Sequence, residues 1–194
     1  MYKHFFKRLI DIVGALLGIV VLLIPFLIIA LLIFATDPGP VLFKQKRFGK
    51  NKKIFKILKF RTMKVDTPDL PTDKFEDAEK YVTRMGKILR KTSLDEMPQL
   101  FNILVGQMSF IGPRPALWNQ EALIALRDKT GANSVRPGLS GWAQINGRDE
   151  ISEKKKAEYD GEYVKRLSFF FDCKCFFGTF IKVFKSEGVR TGKR

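Results

Sequence analysis

Histidine is almost absent: His4 is the only one in 194 residues. That excludes a histidine-based catalytic triad and a multi-histidine metal centre. Cysteine is scarce too. Cys173 and Cys175 stand two apart, a spacing that suits neither a C-x-x-C redox pair nor a zinc site, so free buried thiols in a reducing compartment are expected. No Walker loop and no G-x-G-x-x-G run occurs, which removes the generic nucleotide-binding motifs. Acids are outnumbered, with 20 Asp and Glu against 35 Lys and Arg, for a formal charge of +15. Such a surplus calls for an anionic partner: nucleic acid, a phospholipid surface or a phosphorylated substrate.

What the chain does have is 18 phenylalanines and one long apolar run. Leu9 to Ala35 is broken only by Asp11, Gly14, Gly18 and Pro25, and it exceeds the roughly 20 residues that span a bilayer. Lys3, Lys7 and Arg8 precede it, and ten Lys or Arg with no acid follow between Lys44 and Lys64. The positive-inside rule therefore assigns both flanks to the cytoplasm. A straight span cannot satisfy both. Pro25, near the middle, removes a helical hydrogen bond and favours a bend. Residues 1–36 are read as a re-entrant helix-break-helix, with Asp11 at the interface beside Arg8. A plain span and a cleaved signal peptide are the competing readings.

Residues 37–194 read as a compact, mostly helical cytoplasmic domain, which makes the fold class α+β. Asp37-Pro38-Gly39-Pro40 is a turn. Val41 to Arg47, Gly49-Lys50-Asn51 and Ile54 to Phe60 form a basic β-hairpin ending in Lys59-Phe60-Arg61-Thr62-Met63. Lys50, Lys52 and Lys53 suit solvent, whereas Lys59 and Arg61 are placed to contact phosphate. Asp66 to Glu79 reads as a loop, a candidate lid, and Ala78 to Lys91 as a basic amphipathic helix. Gln99–Val105, Leu117–Thr130 and Glu150–Leu167 are further helices, and Ser109–Ile111 a short strand. Phe169, Cys173, Phe176, Phe177, Phe180 and Phe184 recur at helical spacing beside Lys174, Lys182 and Lys185. Such a face suits an anionic membrane surface or the domain's own core equally well.

Three stretches carry chemistry. In Thr92-Ser93-Leu94-Asp95-Glu96-Met97-Pro98-Gln99-Leu100, two adjacent acids follow Arg90 and Lys91. Carboxylates beside fixed cations suit phosphate and metal handling. Ser93-x-x-Glu96 also fits a capping box, although a helix capped by Ser93 would place Pro98 where an N–H is needed. A start at Asp95 puts Pro98 in the first turn and breaks the box. In Gly112-Pro113-Arg114-Pro115 the arginine sits on a stiff backbone, suited to oriented phosphate capture. Arg136 to Arg148 combines glycines, Gly138 among them, with Arg136, Trp142, Gln144, Asn146 and Arg148, residues able to stack on or hydrogen-bond a nucleotide or sugar.

Together these motifs resemble the bacterial monotopic phosphoglycosyl transferases, in their small, catalytic-core-only form. The carriers are Lys7-Arg8-x-x-Asp11, the Pro25-broken segment, Gly39-Pro40-Val41, Gln45-x-Arg47-x-Gly49, Lys59-Phe60-Arg61-Thr62-Met63, Ser93-Leu94-Asp95-Glu96, Gly112-Pro113-Arg114-Pro115 and Arg136-Pro137-Gly138 through Gly147-Arg148. The resemblance implies a site at headgroup level on the cytoplasmic face of the bacterial inner membrane, in contact with phospholipids. It implies Mg²⁺, a UDP-sugar donor and an undecaprenyl phosphate acceptor. By the same resemblance Asp95 is the nucleophile and Glu96 positions Mg²⁺ or the acceptor, so both are candidate metal ligands; Arg90, Arg114 and Arg148 surround the phosphates. It leaves a homodimer open and calls for no nucleic acid. One departure stands out: many small members carry Ser before the helix-breaking proline, and this chain has Ile24. A membrane-anchored polybasic adaptor or nucleic-acid-binding protein is the alternative reading, and a phosphatase acting on the same lipids is a third.

Overall fold

The apolar N-terminal segment folds as two helices, α1 (Lys7–Val21) and α2 (Leu23–Thr36), bent by 61° at Leu22 and preceded by a π-helical turn, Tyr2–Phe6. The computed structural model describes residues 1–67, 78–147 and 151–184. The bend opens three residues before Pro25 for a steric reason. A proline ring conflicts with the carbonyl four residues earlier, here that of Val21, so Leu22 leaves helical geometry at φ −93°, ψ 6°. The Phe26 N–H then restarts the ladder on the Leu22 carbonyl at 2.8 Å. Among the described residues no single helix is long and apolar enough to cross a membrane, whereas this bent pair together is.

One side of the pair packs into the main core. Ala15, Phe26, Ile29 and Ile33 are buried with Phe55, Ile57, Phe60, Leu89, Leu100, Ile103 and Met108. Gly18 makes the close approach feasible, since a Cβ there would lie 3.1 Å from the Leu100 side chain. The other side stays open, with Val21 73% and Ile24 68% exposed. Asp11 corrects the expectation of an interfacial pair with Arg8. It is buried, and its Oδ1 accepts from Ser109 Oγ and the Phe110 N–H, both at 3.0 Å. Arg8 donates instead to the carbonyls of Ile103 and Leu104.

The hairpin forms as read: β1 (Leu42–Phe48) pairs antiparallel with β2 (Ile54–Phe60), Phe43 opposite Lys59 and Arg47 opposite Phe55. Opposed residues share a face, so Gln45, Arg47 and Lys59 point the same way as the buried Phe55 and Ile57. The chain after Arg114 adds to the free edge of β1. The Phe48 N–H donates to the Ala116 carbonyl at 3.0 Å, and Arg47 bridges Leu117.

The helix expected over Ala78–Lys91 is instead two, α3 (Ala78–Tyr81) and α4 (Arg84–Thr92). The β-branched pair Val82-Thr83 goes to a bridge: Val82 pairs with Met63, the Thr83 N–H reaches the Thr62 carbonyl, and Thr83 Oγ1 caps the Gly86 N–H at 2.9 Å. After α5 (Gln99–Leu104), β3 (Ser109–Ile111) runs parallel to β4 (Gly138–Ser140). Between them lies α6 (Glu121–Thr130), which starts four residues later than expected because Leu117 is engaged with β1. The remaining helices are α7 (Trp142–Ile145), α8 (Glu153–Arg166, capped by Ser152) and α9 (Phe169–Phe184). The result is the expected α+β, mostly helical fold with two small sheets.

The core reading of α9 holds for one of its sides, and the other is left exposed. Phe171 and Cys175 enter a core with Ile111 and Tyr163, while Phe170 is 82% and Phe177 64% exposed. Asp172 ties the helix to the N-terminus, accepting from Tyr2 at 2.6 Å, Lys7 at 2.7 Å and Tyr163 at 2.7 Å. Both cysteines are free thiols; Cys175 is buried, which raises its pKa to about 12, and Cys173 is half-buried. Most of the expected lid (68–77), Arg148 and Lys185 lie outside the described residues.

Candidate active site

Ser93 turns the chain that presents the acidic pair, and it does so with its backbone. It adopts φ 58°, ψ 17°, closing α4 in the left-handed region, and its side chain caps nothing. The capping-box reading is thereby corrected, as is a helix starting at Asp95. Leu94–Glu96 is instead a single 3-10 turn, and Pro98 is the N-cap of α5. A proline there removes no helical hydrogen bond. Asp95 and Glu96 are thus held between the end of one helix and the start of the next.

Their surroundings differ sharply. Glu96 Oε1 accepts from Lys59 Nζ at 2.7 Å and from an Arg114 terminal nitrogen at 2.8 Å. Burial works to raise the Glu96 pKa, but Arg114 and Lys59 hold it well below the usual carboxylate range. Asp95 meets Lys59 only at 3.6 Å, and among the described residues its carboxylate accepts no hydrogen bond. Burial raises the Asp95 pKa, aided by the neighbouring charge of Glu96 and opposed by Lys59, Arg90 and Arg114. Two adjacent carboxyl groups with opposed shifts are suited to different tasks. Glu96 is a fixed anion organising two cations; Asp95 is the more basic, under-coordinated group.

Arg90, in the last turn of α4, donates its Nε–H to Thr62 Oγ1 at 2.9 Å and leaves its charge near Asp95. The structure adds Arg47, which the sequence offered only within a motif. It lies beside Arg114 and Glu96, and burial lowers its pKa to about 10. Gln99, 1% exposed with an Nε2 that meets no acceptor among the described residues, is a further buried polar group four residues after Asp95. β-Strand alternation placing Arg47 on the face of Lys59 was the one signal that could have found it.

The other sequence candidates go elsewhere. Arg61 binds the Asp37 carbonyl and approaches its carboxylate at 3.6 Å, holding the turn between α2 and β1. Arg136 donates to the Gly106 carbonyl at 2.8 Å, beyond the far end of α5. Trp142 packs its ring 5.0 Å from that of Phe171 and donates Nε1–H to Glu162 at 2.8 Å. Asn146 donates to the Trp142 carbonyl, and Gln144 to that of Leu139. Gly138 seats the Arg114 loop, its N–H donating to the Pro113 carbonyl at 2.9 Å where any side chain would overlap Gly112. Lys59, Arg90, Asp95, Glu96 and Arg114 are brought together; Arg61, Arg136 and Trp142 are not among them.

Among the described residues no three Asp, Glu, Cys or His side chains form a metal cage. Mg²⁺ needs none: it is commonly held by one or two carboxylates, waters and substrate phosphates. An Asp95 carboxylate without hydrogen-bond partners beside Glu96 fits that donor chemistry.

The model of the bacterial sugar transferase family matches residues 2–186. A UDP-glucose:undecaprenyl-phosphate glucose-1-phosphate transferase of Escherichia coli (strain K12) is 42% identical over 191 residues, covering 94% of this chain and 41% of that protein. The uncharacterized sugar transferase EpsL of Bacillus subtilis (strain 168) is 41% identical over 184 residues, covering 95% of this chain and 90% of that one. A UDP-N-acetylgalactosamine-undecaprenyl-phosphate N-acetylgalactosaminephosphotransferase of Aeromonas hydrophila is 37% identical over 194 residues, covering 96% of this chain and 45% of that protein. The chain thus spans less than half of two of these relatives and nearly all of the third.

Proposed function

This chain belongs to the bacterial sugar transferase family, and we propose that it moves a phosphosugar from a UDP-sugar to undecaprenyl phosphate, giving undecaprenyl-diphosphate-sugar and UMP. The observation that carries this reading is the contrast within the acidic pair: Asp95, its pKa raised and its carboxylate without a hydrogen bond among the described residues, beside Glu96, whose Oε1 accepts two charged ones, with Lys59, Arg90 and Arg114 around them. In the first step an Asp95 carboxylate oxygen attacks the sugar-bearing phosphorus. The bond from that phosphorus to the bridging oxygen breaks, UMP leaves with the electron pair, and a phosphosugar-aspartate remains. In the second step a phosphate oxygen of undecaprenyl phosphate attacks the same phosphorus and the Asp95–phosphorus bond breaks, restoring the carboxylate. Phosphoryl transfer of this kind relies on charge neutralisation and in-line placement, which Lys59, Arg90 and Arg114 supply. Asp95, with Glu96 beside it, would hold Mg²⁺, which would supply further charge neutralisation at the donor's diphosphate.

The bent α1–α2 pair is proposed to enter and leave the membrane on its cytoplasmic side. Its unburied apolar face, the exposed phenylalanines of α9 and the basic residues on both flanks support that placement. A site at headgroup level then receives a soluble nucleotide sugar from one side and a lipid phosphate from the other. UMP release from a panel of UDP-sugars, with Mg²⁺ and detergent, with and without undecaprenyl phosphate, tests the function. Acceptor-dependent release with one sugar is the expected result and identifies the donor. Release unaffected by the acceptor indicates hydrolysis, and no release from folded protein overturns the transferase reading.

A further inference from the structure

Arg114 reaches Glu96 from a loop with no helix or strand of its own, so something must hold that loop. Arg47 is the side chain that does. One terminal nitrogen donates to the Pro115 carbonyl at 3.1 Å and the other to Gln45 Oε1 at 2.6 Å. Its backbone neighbours reinforce the grip through the Phe48–Ala116 hydrogen bond and the Arg47–Leu117 bridge. Two guanidinium groups are thereby set near one carboxylate, Arg114 bonded to Glu96 and Arg47 within electrostatic reach of both, and among the described residues the buried Nε–H of Arg47 meets no acceptor. Like charges are costly to bury together, and the bonds to Pro115 and Gln45 are what hold Arg47 there.

We infer that Arg47 is a positioning residue: by clamping the Pro115 carbonyl from the hairpin face that also carries Lys59, it aims Arg114 at the donor's diphosphate. This deepens the transferase reading and rests on it. The planar fork is essential, because a lysine carries the charge but cannot hold Gln45 and Pro115 at fixed mutual angles.

The test is a double-mutant cycle on UMP release. Arg47→Lys is expected to lower kcat/KM for the UDP-sugar by about 10-fold, through both a higher donor KM and a lower kcat, with the acceptor KM unchanged. In an Arg114→Ala background the same change is expected to cost less than about 2-fold, because the group being aimed is gone. Gln45→Ala, which removes one tether and keeps Arg47, is expected to show the same loss of effect without Arg114. It also serves if Arg47→Lys folds poorly, which its melting temperature reports. Equal costs with and without Arg114 overturn the positioning role, as does an effect confined to the acceptor. Absence of UMP release from the unmutated protein is a different failure, that of the transferase reading itself.

Discussion

Two buried ionic assemblies in this molecule look alike and are built for different ends. Between α6 and α8, Arg127 and Asp160 pair at 2.6 Å, one cation to one anion, each almost wholly buried. Around the acidic pair, Lys59, Arg90, Arg114 and Arg47 lie near Asp95 and Glu96. The first assembly is balanced and locks two helices. The second gathers several cations around two adjacent carboxylates, and among the described residues Asp95 accepts no hydrogen bond. The isolated pair holds two helices together, whereas the cluster keeps one carboxylate tied down and the other open to a ligand.

Substitutions should separate the two. Asp95→Asn is expected to lower UMP release by at least ~10³-fold, as removal of a nucleophile does. It should not lower the melting temperature at neutral pH. The folded-state pKa of Asp95 lies above the unfolded one, so its ionisation opposes folding from the unfolded value of 3.8 upward and in full above the folded value, and a neutral amide relieves the cost. Retained turnover in Asp95→Asn removes Asp95 from the role of nucleophile.

Glu96→Gln should damage both properties. It strands Lys59 and Arg114 and is expected to cost about 2 kcal/mol of stability at pH 7, measured by denaturant unfolding. Because the folded pKa of Glu96 is depressed, that contribution is fully present above the unfolded value of 4.5 and fades as pH falls toward the folded one. The gap between Glu96→Gln and the unmutated protein should therefore narrow in acid. A gap that widens in acid contradicts the assignment.

Asp160→Asn probes the balanced pair. Leaving Arg127 buried without its partner is expected to cost about 3 kcal/mol, with kcat/KM of the folded enzyme unchanged. A specific loss of activity at full stability erases the distinction drawn between the two assemblies. Lys52→Ala should do least: its pair with Asp128 is half exposed, and such pairs contribute less than about 1 kcal/mol. Neither UMP release nor melting temperature should move measurably.

Much of this was readable along the chain. Alternating residues bounded by Gly49 and the proline-rich turn specify the hairpin, and Pro25 specifies a bend within an apolar run. Asp95, Glu96, Arg114 and Lys59 were legible as charged residues beside stiff or turning backbone. The errors also have physical causes. Ala78–Lys91 looks helical until Met63 supplies a bridge partner for Val82. Trp142 looks like an open stacking platform until Phe171, twenty-nine residues later in the chain, packs against it.

By itself, then, the sequence determined the local geometry and the inventory of charges, because propensity, proline sterics and hydrophobic period act over a few residues. Only the tertiary structure decided which charges meet. Lys59 and Glu96 are 37 residues apart, Arg114 and Glu96 are 18 apart, and Arg90 finds Thr62 across 28. An ion pair forms by proximity in space, and so does its absence. That Asp95 accepts no hydrogen bond among the described residues while Glu96 Oε1 accepts two is a property of distances that no spacing along the chain encodes.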